Sequence, residues 1–545
     1  MNLTTLSKMA IKREKTSVLI IGGSLVGLST AVFLSHQGIK PILIERHADS
    51  SPHPRAMGFL SRSMEAYRSS GLKDKIPLAD PNFKLVRTRV HSLAGDWHEN
   101  SYWNPEKSGA APKKGESEIM NYSYTIGADA AQDEMEGYFR EAALSKGADL
   151  RYSTTLISFQ QDQNGITALL KNRVDGTEYE IRADYMVAAD GNRSFVRESL
   201  GIERDGRGHM QTMRSVLFKA PGLDKYRKDA VQFSIDQPDL QAFLVYYRNS
   251  RWALMFSDEV ERDETAYKDA IYKAIGDADI TIEIITTGEW ELTALIANSY
   301  QSGRIFLAGD SAHTLPPNRG GFGANTGIAD AWNLSWKLAS VVKGHSRPEL
   351  LDTYEVERRP VALFRHDQMF LRQDYKTFAA KDGKSAVAYD DIAIELGELY
   401  RSKAVISDSS NEEIPVKRPD EWNGEPGTRA AHWWLSGDKS RSTIDFYGEN
   451  WVLITESEEW KDAVAQVNDG SKSLKIDCIQ LGVDEKVEDL EGLRKIMGIT
   501  DTGASLIRPD GIVAWRSQRL SSLNLTPAEE LNQVLSQVAF LTDLS

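Results

Sequence analysis

Three carboxylates stand where a folded chain can hold a nucleotide. Glu45 closes the short apolar run Pro41 to Ile44, Asp190 closes Ile181 to Ala189, and Asp310 follows Ile305 to Ala308 across Gly309. Each run suits a buried parallel strand, and open α/β sheets bind ligands at the carboxyl ends of such strands. Gly22-Gly23-Ser24-Leu25-Val26-Gly27 follows another apolar run, Ser17 to Ile21, and begins 23 positions before Glu45. Strand, tight glycine turn, helix, strand and acid is the order of a dinucleotide fingerprint. Gly22 makes the turn, Gly27 lets the helix pack on the sheet, and Glu45 takes the ribose hydroxyls. Ser24 stands in the middle glycine position. Its Cβ keeps the backbone farther from a pyrophosphate, while its hydroxyl can donate to one. Gly22, Ser24, Leu25, Gly27, Glu45 and the adjacent Arg46 are the candidate contacts of this unit, with a chance glycine turn as the alternative.

A second loop, from Asp310 to Asn325, is rigid at Pro316 and Pro317 and permissive at Gly320, Gly321 and Gly323. It can bring backbone amides close to a flat ligand, so Pro317, Gly320, Gly321, Gly323, Ala324 and Asn325 join the candidates. A helix is expected from near Asn325, with Ile328, Ala331, Ser335, Leu338 and Val342 inward and Gly344 as its stop. Its N-terminus would stabilise negative charge at the loop. The pattern continues through Tyr354, Arg358 and Arg359, beyond Pro360.

These groups need a frame to position them. Gln132 opens an amphipathic helix running to Ala143, and Asp190-Gly191 turns from a strand into another helix at Asp190 to Arg197. Arg55, in the loop His53-Pro54-Arg55-Ala56-Met57, either reaches the cofactor or is a solvated surface arginine. From Val216 to Trp290 the apolar period becomes two, interrupted by a helix at Glu264 to Ile275. An antiparallel sheet inserted into a dinucleotide domain forms a roof over the ligand. Trp97, Tyr102, Trp103, Tyr122 and Tyr124 line a pocket for a flat substrate or are plain core. Lys107 to Glu118 reads as a mobile loop. After about 420 the order β-α-β-β-α suggests a small thioredoxin-like layer, with Thr526 and Pro527 opening the last helix.

The expected divisions are an N-terminal tail (1–16), a cofactor domain in three pieces (17–80, 126–205, 296–377), substrate-domain pieces (81–125, 206–295), a connecting segment (378–420) and the thioredoxin-like domain (421–545). The fold class is α/β, a Rossmann-like domain with an inserted antiparallel sheet. The 545 residues carry 65 basic against 79 acidic side chains, a net of −14, which argues against nucleic acid and anionic membrane as partners. The lone cysteine, Cys478, excludes disulfide frameworks, zinc clusters and a dithiol pair, and no metal is expected. No apolar run approaches the ~18 residues of a membrane span. The N-terminus lacks a signal-peptide core, so a cytoplasmic protein is expected, with a homodimer left open.

Together these stretches resemble the group A flavoprotein monooxygenases, the para-hydroxybenzoate and phenol hydroxylases, and among them the aromatic polyketide hydroxylases of secondary metabolism. The match runs from about Ser17 to Arg365. The family's first motif corresponds to Gly22 to Gly27 and its Asp-Gly motif, serving FAD and the nicotinamide cofactor, to Asp190 to Arg197. Its Gly-Asp motif, whose acid binds the ribityl chain, corresponds to Gly309-Asp310. The flavin loop corresponds to Pro316 to Gly327, a second ribityl contact to Gln132, and the Pro-Arg-Ala segment to Arg55 and Ala56. Gly427 to Leu435, Ser442 to Gly448 and Ser505 to Arg516 are similar to the thioredoxin-like domain of phenol and polyketide hydroxylases.

The resemblance implies FAD as cofactor, NADPH or NADH as reductant, O2 as co-substrate, and hydroxylation of a phenolic, polycyclic substrate through a C4a-hydroperoxyflavin. It implies Arg193 or Arg197 near the nicotinamide cofactor's phosphates. A base for a phenol is not fixed by it. His313, Tyr246, Tyr247, Arg248, His98 and Arg55 are candidates, with a structural role set against His313. Baeyer–Villiger oxidation, epoxidation and a non-catalytic flavin sensor are the alternatives. A halogenase would need a W-x-W-x-I-P stretch, absent here, and a plain NAD dehydrogenase would leave the Gly-Asp loop and the roof unexplained.

Overall fold

The structure, a computed structural model, describes residues 12–53, 56–83, 86–102, 117–227, 231–258, 260–316, 321–371, 375, 387–407, 415–435, 437–471, 474–520 and 525–542. The first sheet holds β1 (Lys12–Ile21), β2 (Ile42–Ile44), β5 (Asp149–Arg151), β6 (Thr154–Asp162), β7 (Gly165–Asn172), β8 (Glu178–Ala188), β14 (Gln301–Ser302) and β15 (Ile305–Leu307). Its centre is parallel in the order β15-β8-β1-β2-β5. The three runs that end in Glu45, Asp190 and Asp310 are therefore β2, β8 and β15, side by side with β1 between the first two. Val18, Leu19, Ile20, Met186, Val187, Ile305 and Leu307 are fully or almost fully buried, as strands covered on both faces must be.

Four helices cover this sheet or lie beside it. They are α1 (Leu25–His36), α2 (Ser61–Tyr67), α3 (Gln132–Ser145) and α4 (Phe195–Ser199). The expected N-terminal tail is partly strand: Lys12 to Thr16 pair with Tyr179 to Ala183. Their polar side chains hid the strand, yet ion pairs from Arg13 to Glu180 and from Glu14 to Arg151 occupy them.

The second sheet is the roof. It takes β3 (Val86–Val90), β4 (Trp97–Tyr102), β9 (Arg204–Lys219), β10 (Gln232–Gln237), β11 (Leu240–Tyr247), β12 (Arg251–Phe256), β13 (Glu283–Ala297) and β16 (His313–Thr314) in the order β16-β13-β9-β12-β11-β10-β3-β4. The short helix α5 (Asp224–Arg227) and the longer α6 (Glu264–Ile275) belong to it. Tyr267, Ile271 and Ile275 of α6 pack with Leu244, Trp252 and Phe218 on the sheet's outer face. Trp103 and most of the expected loop Lys107 to Glu118 lie outside the described residues.

Two long helices follow, α7 (Phe322–Val342) and α8 (Thr353–Phe370). They are separate, with the break at the expected stop Gly344, and the pattern through Tyr354 and beyond Pro360 belongs to α8. Gly344 takes a positive φ of 75° and Pro348 opens a separate turn. Pro360 is tolerated inside α8. Helices α9 (Asp391–Leu396) and α10 (Pro419–Trp422) lead into the last layer. There β17 (Trp451–Thr455), β18 (Ile476–Gln480), β19 (Ala504–Ile507) and β20 (Val513–Ser517) form a sheet in the order β18-β17-β19-β20, with α11 (Glu458–Gly470), α12 (Leu490–Met497) and α13 (Pro527–Val538). Thr526 caps α13 by accepting from Glu529 N. Among the described residues no helix is long and apolar enough to cross a membrane.

Candidate active site

The first glycine unit is built by close approach. A Cβ on Gly27 would lie 1.9 Å from Gly22 O, and one on Gly22 would lie 2.3 Å from Ala189 O, where φ is +106°. Only glycine lets the first turn of α1 sit on the ends of β1 and β8. Ser24 is the N-cap of α1, and its side chain makes no capping bond. The amides at that end are thus left for a ligand, and no acidic residue stands in the first turn to compete with an anion. Glu45 accepts from Gly23 N at 2.7 Å and from His47 N at 2.8 Å, which fixes its carboxylate beside the turn. Leu25 is buried beneath, and Arg46 is exposed beyond it. The set fits a dinucleotide with pyrophosphate on α1 and ribose at Glu45.

Gln132 and Ser24 meet at this place. Gln132 Nε2 donates to Ser24 Oγ at 3.2 Å and to Glu136 Oε1 at 2.9 Å, and Ser24 Oγ donates to Glu136 at 2.6 Å. Gln132 also pins Ala56 through both backbone directions, with Ala56 N donating to its Oε1 and its own N donating to Ala56 O. Glu136 was not anticipated; its only signal was its place one turn after Gln132 on the buried face of α3. Arg55, Pro317 and Gly320 lie outside the described residues.

Asp310 is exposed at the end of β15, on a turn that Gly309 makes with a φ of +64°. The turn is held from below. Asp330 Oδ2 accepts from Gly309 N at 3.2 Å and from His313 Nε2 at 2.6 Å, and Asp330 Oδ1 accepts from Arg358 Nε at 2.9 Å. All four residues are buried. Burial alone would raise the Asp330 carboxyl, but His313 and Arg358 outweigh it and hold it below the usual carboxylate range. Gly327 completes the fit: a Cβ there would lie 2.6 Å from Val26 Cγ2 and 3.0 Å from Gly309 Cα.

Of the flavin-loop candidates, Gly321 is the N-cap of α7 at a φ of +59°. Gly323 and Ala324 are half-buried in its first turn. Asn325 differs from a simple ligand. Its Nδ2 donates to Gly58 O and Gly321 O, and its Oδ1 accepts from Leu60 N and Ser63 Oγ. All its side-chain capacity is spent stapling loop 56–60 and α2 to α7, so only its backbone is left for a ligand.

Asp190 is held by Ser194 Oγ at 2.5 Å and Val196 N at 3.1 Å; burial raises its carboxyl above the usual range. Arg197 belongs to α4. It is buried and donates to Asn192 O and Ser311 O. Arg193 is exposed and paired with Glu291 at 2.8 Å.

The candidate bases are corrected by strand alternation. Tyr246 points to the face covered by α6, where it packs edge-on to Trp252 at 5.0 Å. Tyr247 points the other way, fully enclosed with Leu217, Ala253 and Met57. His313 is buried with its Nε2 on Asp330, His98 is exposed on the edge strand β4, and Arg248 is half-buried and bound to Asp129 O. None of these five presents a free base to the space between roof and flavin turn.

That space has an apolar ceiling. Phe243, Met255, Ser215 and Gly288 form one cross-strand row on β11, β12, β9 and β13, and Met213 faces Trp290 beside it. Ser215 is its hydroxyl, paired with His53 Nε2 at 2.8 Å. Leu315, Phe322, Met369 and Phe370 pack with Met213 and Trp290 in one cluster, joining the roof to the flavin loop and α8.

The chain matches the family model described as FAD binding domain over residues 15–365 and the model described as aromatic-ring hydroxylase, C-terminal, over 423–539. It is 36% identical to a 4-methyl-5-nitrocatechol 5-monooxygenase from a Burkholderia species, over 92% of this chain and 94% of that protein. It is 34% identical to a tetracenomycin A2 monooxygenase-dioxygenase from Streptomyces glaucescens, over 96% and 97%. An aklavinone-11 hydroxylase, solved as a ternary complex with FAD and aklavinone, superposes with a TM-score of 0.83 at 31% identity, over 96% of this chain and 99% of that one. With these two models covering residues 15–365 and 423–539 and relatives above 30% identity over nearly the whole chain, the chain belongs to the FAD-dependent aromatic-ring monooxygenases.

Proposed function

We propose that this monooxygenase inserts one oxygen atom from O2 into a phenolic, polycyclic substrate, with NADPH or NADH as reductant. The observation that carries the substrate class is the roof's inner face. The row Phe243–Met255–Ser215–Gly288 with Met213 and Trp290 offers an apolar stretch with the Ser215 hydroxyl in it, edged beyond Phe243 by Ser234 and by Arg87 over the Phe243 ring at 4.8 Å, which suits a flat ring system with polar groups at one edge. FAD, when bound, supplies the redox chemistry of reduction by the nicotinamide cofactor and activation of O2. The chain's own part is to seat it on the Gly22 turn and at Glu45 and Asp310. The apolar roof keeps water from the reacting face, and the ceiling orients the ring. There is one dinucleotide fingerprint in the sequence, so the nicotinamide cofactor docks transiently, and the exposed Arg193 is the cation we assign to its phosphates.

The name of the nitrocatechol relative supports a second reading, a single-ring catechol. Mass spectrometry under 18O2 against polycyclic phenols and nitrocatechols decides between them. Label in the polycyclic product alone supports the first reading, and label in the catechol product alone supports the second. Unlabelled product, or NADPH oxidation that no aromatic compound accelerates, sinks both. A cytoplasmic location and a homodimer belong to the same reading; the exposed Val356 and Leu363 on one side of α8 support self-association, which sedimentation would measure.

A further inference from the structure

We infer that the C-terminal domain positions the turn that carries Asp310, acting through Arg508 and a buried ion cluster shared by α7 and α8. Arg508 and Asp510 sit in the hairpin turn between β19 and β20. Hairpin turns normally lie in water. This one is driven into the first domain, with Arg508 at 0% and Asp510 at 2% exposure. Arg508 grips Glu357 of α8 with two prongs, Nη1 to Oε1 at 2.7 Å and Nη2 to Oε2 at 2.9 Å. Glu357 also accepts from Lys337 Nζ at 2.8 Å and Asn333 Nδ2 at 2.7 Å, both on α7. Asp510 takes the other side of Arg508 at 2.5 Å. Lys337 and Arg508 balance Glu357 and Asp510, as charges out of water require. Arg508 and Lys337 together hold the Glu357 carboxyl well below the usual range against the effect of burial.

The next residue on α8 faces the flavin turn. Arg358 bonds Asp330, and Asp330 holds Gly309 N and His313. Tyr400 bridges the two clusters: its hydroxyl accepts from Arg358 Nη1 at 2.5 Å, and its ring centre lies 5.7 Å from Arg358 and 5.8 Å from Arg508. Asp330, Asn333 and Lys337 are spaced three and four apart, so one stripe of α7 serves both clusters. The two helices are therefore set against each other at this stripe by ion pairs with fixed geometry. Such a network has discrete arrangements, and a half-satisfied one reorganises. Loss of Arg508 leaves two carboxylates, Glu357 and Asp510, with the cation Lys337 and only the neutral donors Asn333 and Ser402 beside it. The relief available is a shift of α8 on α7, which carries Arg358, Asp330 and the Gly309 turn with it. Arg508 touches neither cofactor nor substrate; it is a positioning residue.

The test uses the full-length chain and two readouts, FAD affinity by equilibrium dialysis and the visible circular dichroism of the bound flavin. Arg508→Met and Glu357→Gln are each expected to weaken FAD by ~10-fold or more and to change the flavin dichroism. The double variant should show much less than the sum, because both remove one link. Arg508→Lys keeps the charge and loses the two-pronged geometry, so it should shift both readouts less and in the same direction. It also stands in for Arg508→Met should that variant fail to fold. Unchanged affinity and dichroism in the folded variants, with only a lower melting temperature, would overturn the inference. Wild-type protein that binds no FAD would instead overturn the assignment of the site.

Discussion

Ser215 Oγ of the roof lies 2.8 Å from His53 Nε2, just before Ala56, whose amide donates to Gln132 of α3. Gly288 stands opposite Ser215, and a Cβ there would meet the imidazole and the hydroxyl in ordinary contact at 3.5 Å. The contact joins the substrate ceiling to the loop that Gln132 and Asn325 pin to the cofactor domain. Removing it frees one wall of the cleft without touching the glycine cradle. His53→Ala should raise KM for the aromatic substrate roughly 2- to 10-fold, the worth of about one hydrogen bond, with FAD content unchanged. Steady-state kinetics and the flavin-to-protein absorbance ratio measure both. Loss of FAD would show that the loop serves the cofactor instead.

Asp310 is exposed, while the residues that aim it are buried. Asp310→Ala should therefore fold normally and weaken FAD by ~1–3 kcal/mol, the cost of one lost hydrogen-bond acceptor for a ligand hydroxyl. Asp330→Asn should weaken FAD and also lower the melting temperature, because Arg358 and His313 lose a buried charge. Fluorescence titration with FAD and a thermal scan separate the two. Equal melting losses in both variants would count against the division of roles.

Part of this was legible in the chain and part was not, for physical reasons. Gly22, Gly27 and Gly309 occupy positions where a Cβ collides with backbone, so the geometry dictates the residue and the residue reveals the geometry. The helix Glu264–Ile275 and the strand Trp451–Thr455 have the expected bounds because their apolar periods are clean. The first half of β9, Arg204 to Gln211, has no apolar period, and its pairing with β13 is set by backbone bonds. Asp330 reads as a helix-surface acid; its partners lie 17 and 28 positions away, beyond any local pattern. Tyr246 and Tyr247 could not be told apart until the register placed them on opposite faces.

Glu395 makes a pH dependence measurable. It is buried on α9 near the start of α2, and burial, offset in part by Ser61 and the amides of Ser61 and Arg62, pushes its carboxyl up to about 7. A carboxyl whose native pKa exceeds its unfolded value of 4.5 binds protons more tightly when folded. Stability therefore falls as pH rises from about 4.5 to about 7, and the loss is complete above that. Glu395→Gln removes the ionisation. Its stability should match wild type near pH 4.5 and exceed it by on the order of 3 kcal/mol at pH 8. Denaturant melts at the two pH values give the difference, and a gap that does not grow with pH would refute the account.

Cys478 tests whether the last domain does thiol chemistry. It lies on β18, half-buried, paired in register with Leu453 of β17. Burial, helped by Asp484 and Glu458, pushes its thiol up to about 11. A thiol that stays protonated at neutral pH is a poor nucleophile, and a dithiol cycle needs a second cysteine that the sequence lacks. The role we infer for this domain then rests on packing and on the charges of Arg508 and Asp510. Cys478→Ser should leave turnover, FAD affinity and flavin dichroism unchanged, with a melting temperature lower by at most a few degrees for the polar group placed beside Leu453. Alkylation by iodoacetamide at neutral pH should be slow in the native protein and fast after denaturation. Selective loss of turnover with FAD retained, or rapid native alkylation that stops catalysis, would assign the thiol a part in the reaction.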